Sequence, residues 1–131
     1  MYLMVATRPD LAFSLSKLSK LNNSPGRAHW ETACKVLGYL RKTANAGLLY
    51  TTEKPFQVQG VCDAVFTCHI DDRRSQGDYV FLMGGAAVSW RSYTISTVAR
   101  STPKSEYVAA SDARAEAIFL RNFFGQLGLP Q

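Results

Sequence analysis

Residues 60–75 read GVCDAVFTCHIDDRRS. Around this stretch two sets of residues alternate. Val58, Gly60, Cys62, Ala64 and Phe66 fall on one face, and Gln57, Gln59, Val61, Asp63 and Val65 on the other. A period of two is that of a β-strand. Asp63 shares its face with Val61 and Val65. A carboxylate among apolar neighbours on a central strand is costly unless it is paired, protonated or bound to a metal. On an edge strand it simply faces water, in line with how seldom Asp is fully buried.

Downstream, the polar loop HIDDRRSQG ends in Gly77. A second strand is expected over Tyr79–Met83, a turn at Gly84–Gly85 and a third strand over Ala86–Ser92. Ile95–Ser101 reads as a short fourth run. Thr102 and Pro103 give a helix start. Ala110, Ala113, Ala117, Leu120, Phe124 and Leu127 then recur at steps of three and four, which is one apolar stripe. Four residues before Ala110 stands Glu106. This spacing places the glutamate on the sheet-facing side, at the helix end where the dipole favours an anion. Asp112 lies six residues beyond Glu106, roughly 240° around the helix, and points elsewhere. Gly125 and Gly128 end the helix.

Upstream, Pro9 suits a first helical turn, and Leu11, Leu15 and Leu18 form a stripe. Asn22–Gly26 breaks that helix. Ser24 and Pro25 are the expected cap and first residue of a second helix that runs to about Lys42. Trp30, Ala33, Leu37 and Leu40 are its expected buried stripe, and Arg41 and Lys42 suit its negative end. The two helices predict a helical hairpin over residues 1–54. Gly47–Thr52 reads as an extended connection, and Glu53–Lys54–Pro55 as the boundary with residues 55–131.

At 131 residues and 47% hydrophobic, the chain is long and apolar enough to bury a core. No apolar run reaches the ~18 residues of a membrane span. The first twenty residues lack the pattern of a secretory signal. Being Ser-rich, basic and poor in acids, they share features with a mitochondrial transit peptide. Cys34, Cys62 and Cys68 show no zinc-type spacing and read as reduced thiols of an intracellular protein, cytoplasmic or nuclear. The net charge of +5 lies wholly in residues 1–54, with eight Lys/Arg against three Asp/Glu. Arg27, Lys35, Arg41 and Lys42, with Arg73 and Arg74, are therefore the candidate phosphate contacts, or else an ordinary solvated face.

Several motifs carry a family resemblance. CDAVFTCHIDDRRSQGDYVFLMGGAAVSW resembles the start of the ribonuclease H domain of copia-type LTR retrotransposon polyproteins. In that family S-D-A-D-W-A-G-D leads into D-D-R-R-S, then G-Y-V-F-L-L-G-G and A-I-S-W. STVARSTPKSEYVAASDARAEAIFLR resembles the segment T-V-A-L-S-T-T-E-A-E-Y-M-A-L-S-E-A-A-K-E-A-I-W-L-R. TRPDLAFSLSKLSK and PGRAHWETACKVLGYLRKTANAGLLY resemble the end of the same family's reverse transcriptase region. The resemblance spans nearly the whole chain.

It implies an α/β (α+β) fold: a helical hairpin, then a truncated ribonuclease H-like mixed sheet of the first strands plus the first helix. It also implies that Asp63 and Glu106 match the family's first two metal-binding carboxylates. They would hold Mg²⁺ or Mn²⁺ for hydrolysis of an RNA–DNA hybrid. The later family carboxylates have no counterpart before LGLPQ. Val65 and His69 stand at family acidic positions, and Cys68 at a glycine. Asp71 and Asp72 adjoin Arg73 and Arg74, the expected pairing partners. In the family sheet the first strand lies between the second and the fourth. Without the fourth, residues 56–66 form an exposed apolar edge suited to self-association or a protein partner. Three readings follow: a catalytically inactive retrotransposon-derived fragment that binds proteins, a ribonuclease completed by oligomerisation, and a nucleic-acid binder using the basic helices.

Overall fold

The computed structural model describes residues 2–54, 56–66, 74–97 and 101–131. His69, Asp71, Asp72 and Arg73 lie outside the described residues, as does the segment 98–100 at the end of the expected fourth run. The fold is mixed α/β and divides into two compact units, Met1–Leu48 and Leu49–Gln131.

The first unit is helical. It holds α1 (Tyr2–Ala6), a 3-10 turn (Pro9–Leu11), α2 (Ala12–Ser19) and α3 (Arg27–Lys42). Pro9 does open the first turn, where its missing N–H costs nothing. The unit is tied together by Arg8, which is buried. Its guanidinium donates to both Asp10 carboxylate oxygens at 3.0 and 2.7 Å, and to the Thr43 carbonyl at 3.0 Å. It also donates to Thr43 Oγ1 at 2.6 Å, and Tyr39 donates its hydroxyl to Asp10 Oδ2 at 2.8 Å. A buried cation is tolerable only with such a set of acceptors.

Two expectations for this unit are corrected. The cap of α3 is Gly26, not Ser24, and His29 Nδ1 accepts the Gly26 N–H at 2.8 Å. The stripe on α3 is not buried: Trp30 and Leu37 are 70% and 62% exposed. An apolar stripe becomes core only where a partner covers it, and α2 is half the length of α3.

The second unit is a three-stranded antiparallel sheet, order β1-β2-β3, with one helix across it. The strands are β1 (Gln59–Val65), β2 (Gln76–Met83) and β3 (Ala86–Thr94), followed by α4 (Thr102–Gln126). The β2–β3 turn is Gly84–Gly85, with φ of 60° and 87°. That pair of left-handed residues matches the twist of a tight hairpin, which is why glycines stand there. Between Phe81 and Leu82 the register shifts, since Phe81 faces Ser89 while Leu82 faces Ala87. The extra residue, Val88, packs with the core. β3 ends at Thr94, and the expected fourth run contributes Ile95, buried, whose N–H donates to Ser75 O at 2.9 Å. Tyr50 and Thr51, read as a connection, belong to this unit: Thr51 N–H donates to Gly84 O and Tyr50 OH to Ala87 O.

The core lies between the sheet and α4. Phe81, Met83, Ala113, Leu120 and Phe124 form one cluster, and Ala64, Ile95 and Ala109 another. The second cluster corrects the stripe on α4. Its first half runs through Ser105, Ala109 and Ala113, all buried, and not through Ala110, which is exposed. Leu127 is exposed too. Steps of four drift the stripe slightly backwards at 3.6 residues per turn. The fully buried residue in the first turns is therefore Ser105, whose hydroxyl donates to Thr102 O at 2.8 Å, and Glu106 beside it is half-buried.

Gly128 closes α4 in the left-handed region, φ 77°. Its N–H donates to Gly125 O, and Leu129 N–H reaches back to Phe124 O at 2.9 Å. This paired capping turns the chain back on itself.

Candidate functional site

Three places in the second unit carry chemistry: the two carboxylates, a groove along β1 and a cleft beside β3. Asp63 is on β1 directly opposite Asp78 of β2. Its neighbour Ala64 is buried against α4, so alternation turns Asp63 to the other face of the sheet, away from the helix that carries Glu106. Asp63 is exposed, and its Oδ1 accepts the Ala64 N–H at 2.8 Å. A pair of divalent cations needs several anionic oxygens in one cluster. Among the described residues no group of three His, Cys, Asp or Glu side chains comes together. The described residues alone do not assemble such a centre.

A groove of about 400 Å³ lies between β1 and α4. Its floor is Val58, Gly60, Cys62 and Phe81 with Ala113 and Ala117 of the helix. Gly60 is required there, because a Cβ at that position would lie 2.4 Å from the Phe81 ring. Arg114 and Arg121, seven residues apart on α4, stand at its rim. Both are exposed, and neither has an acidic partner among the described residues. β1 pairs only with β2 among the described residues, which leaves its other edge without a strand partner among them. Val61 and Val65 on the far face are 61% and 45% exposed.

Just before β1 the chain is engaged by an amide. Val58 N–H donates to Gln131 Oε1 at 2.7 Å, and Gln131 Nε2 donates to Phe56 O at 3.2 Å. A carboxamide thus satisfies one acceptor and one donor of the chain just before β1.

The cleft is lined by Tyr79, Arg91 and Tyr93 of the sheet and by Asp112 and Glu116 of α4. Burial, with Asp112 nearby, raises the Tyr93 phenol well above its ordinary value. Burial and the Glu116 charge raise Tyr79 as well. Arg91 stacks its guanidinium 4.7 Å from the Tyr93 ring centroid, and Glu116 accepts the Ser89 hydroxyl at 2.7 Å. The Ser89–Glu116 bond ties β3 to α4.

Of the candidate phosphate contacts, Arg27 is engaged by Glu31 at 3.1 Å, an exposed pair one helical turn apart. Lys35, Arg41 and Lys42 are exposed on α3, and Arg74 is exposed just before β2. Sequence reasoning missed Arg114, Arg121 and Gln131. The seven-residue spacing of the arginines, each one residue beyond or before an alanine or leucine of the stripe, was the available signal. No helix among the described residues is long and apolar enough to cross a membrane.

No family model matches the chain, and no solved structure matches it. Curated proteins do. It is 40% identical over all 131 residues to the retrovirus-related Pol polyprotein from transposon TNT 1-94 of Nicotiana tabacum, and spans 10% of that polyprotein. It is 34% identical over 110 residues to a putative transposon Ty5-1 protein of Saccharomyces cerevisiae, covering 36% of it. With secreted RxLR effector protein 161 of Plasmopara viticola it shares 42% identity over 120 residues, covering 92% of this chain and 84% of the effector. The chain belongs to the family formed by that effector protein and the matching segment of the transposon-encoded, retrovirus-related Pol polyproteins.

Proposed function

We propose that this chain is a copia-type, retrotransposon-derived fragment, joining the end of a reverse transcriptase region to the first part of a ribonuclease H-like domain, and that it acts by binding protein. The observation that carries this reading is the open edge of β1 beside an apolar groove. Unpaired backbone groups next to apolar side chains favour a strand from another chain. The exposed apolar area of Val61 and Val65 adds roughly 25 cal/mol per Å² on burial. The placement of Asp63 on the face away from α4 argues against hydrolysis as the working activity. The relative named as a secreted effector covers nearly the same span, which supports a role for this segment outside a polyprotein.

The test is a labelled RNA–DNA hybrid incubated with the purified chain and Mg²⁺ or Mn²⁺, beside sedimentation of the same sample. The expected result is intact hybrid and self-association or partner capture that weakens on Val61→Lys. Metal-dependent cleavage lost in both Asp63→Asn and Glu106→Gln overturns the reading in favour of a nuclease.

A second reading has one observation of its own: Lys35, Arg41 and Lys42 are exposed on one helix. Binding to a hybrid whose affinity falls steeply with salt, and falls again in Lys35→Glu, supports a nucleic-acid contact.

A further inference from the structure

We infer that the groove between β1 and α4 selects an extended segment of another protein in which acidic residues alternate with apolar ones. The inference rests on the protein-binding reading and adds to it the chemistry of the partner.

Three observations converge. The first is the hold of Gln131 on Phe56 and Val58, at 3.2 and 2.7 Å. In an extended chain the C=O of one residue and the N–H two residues later lie on the same side. The chain just before β1 therefore already offers one acceptor and one donor to an amide, and an added strand would take up the corresponding groups along β1.

The second is charge. Among the described residues, the charged side chains lining the groove are those of Arg114 and Arg121, and no Asp or Glu side chain lines it. A partner side chain on the α4 side of an added strand meets these two guanidinium groups. A carboxylate there gains a charge-assisted hydrogen bond, and a lysine is repelled. Seven residues of helix span roughly 10.5 Å, and alternate strand positions recur at roughly 7 Å, so long arginine side chains reach successive acidic residues.

The third is the opposite face. There Val61 and Val65 flank the edge and are exposed, with the exposed Asp63 between them. Partner residues pointing to that side become their cross-strand neighbours, where apolar side chains are favoured. The α4 side asks for acids and the positions opposite Val61 and Val65 ask for aliphatic residues, which a single strand supplies on its two faces.

The experiment uses the full chain and two fluorescent octapeptides, one alternating Glu and Val, the other Lys and Val. Anisotropy is read at low and at physiological salt. The Glu–Val peptide is expected to bind at least tenfold tighter than the Lys–Val peptide, more so at low salt. In the R114E/R121E variant the preference should reverse. Both arginines are exposed, so the variant is checked for an unchanged circular dichroism spectrum and melting temperature. Cys62, an exposed thiol in the groove floor, supplies a second readout. The Glu–Val peptide should slow its alkylation, while the thiol of Cys34 on α3 reacts at an unchanged rate. Equal binding of both peptides, no binding of either, or a preference that survives R114E/R121E overturns the inference. Each of these differs from hybrid cleavage, which overturns the protein-binding reading itself.

Discussion

Gly60 and Phe81 are cross-strand partners, and the Phe81 ring occupies the space in which a side chain at position 60 would begin. Phe81 is buried in the main cluster and cannot swing out without leaving a void. Gly60→Ala is therefore expected to cost about 1–3 kcal/mol, the range for overpacking a filled core. Chemical denaturation of both proteins checks it. An unchanged midpoint means that the ring yields, and that the groove floor is softer than described.

Phe124 is a buried member of the same cluster, while Leu127 is exposed at the helix end. Phe124→Ala should cost about 3–5 kcal/mol. Leu127→Ala should stay within about 0.5 kcal/mol. The contrast fixes which face of α4 is packed. Equal melting temperatures for the two variants contradict it.

Asp63 and Asp78 face one another across β1 and β2. Like charges directly opposite destabilise a sheet, by about 0.2–1 kcal/mol. Asp63→Asn keeps the acceptor that holds the Ala64 N–H and removes one charge, so stability should rise by that amount. A loss of stability instead shows that the Asp63 carboxylate has a favourable partner.

Asp10 titrates below its ordinary value of 3.8, first because Arg8 hydrogen-bonds its carboxylate. A depressed carboxylate contributes stability that is present above the unfolded value and lost as pH falls through the folded one. The helical unit should therefore lose helicity as pH falls from about 3.8 downwards. Asp10→Asn should be less stable than the parent at neutral pH and show a flatter acid limb. Far-ultraviolet circular dichroism against pH measures both.

At the other end of the pH scale the sign reverses. Tyr93 is held protonated above the ordinary tyrosine value of 10.0 by burial and then by Asp112. Its contribution is complete below 10.0 and disappears as pH rises through the folded value. Phenolate absorbance of the native protein should lag behind that of the unfolded chain. Tyr93→Phe should shrink the loss of stability above pH 10.

Some of this was legible in the sequence for plain reasons. The alternation around Asp63 set the faces of β1, since a period of two is unambiguous over this many residues. Gly84–Gly85 marked the hairpin because only glycine enters that turn freely. On α4 the large residues Leu120 and Phe124 identified the packed face. The other end of the helix was harder, since Ala109 and Ala110 are identical in chemistry and only the geometry of packing chooses between them. That one-residue choice moved the buried position from Glu106 to Ser105. The stripe on α3 showed amphipathicity but could not say what covers it. Gln131 pairs with residues more than seventy positions away, a relation no local pattern encodes.

The two-residue turn at Gly84–Gly85 also sets a timetable. β2 and β3 are neighbours in sequence, so they close with little loss of chain entropy, on the microsecond scale of isolated hairpins. β1 must be recruited across a longer connection, and α4 follows β3 in the chain and so emerges after the hairpin. A newly made chain thus presents Phe81 and Met83 to water until 25 further residues of helix have been added and have folded across them. The interval between hairpin closure and helix arrival is when this protein is most open to aggregation, and slowing translation after Thr94 should lower its soluble yield.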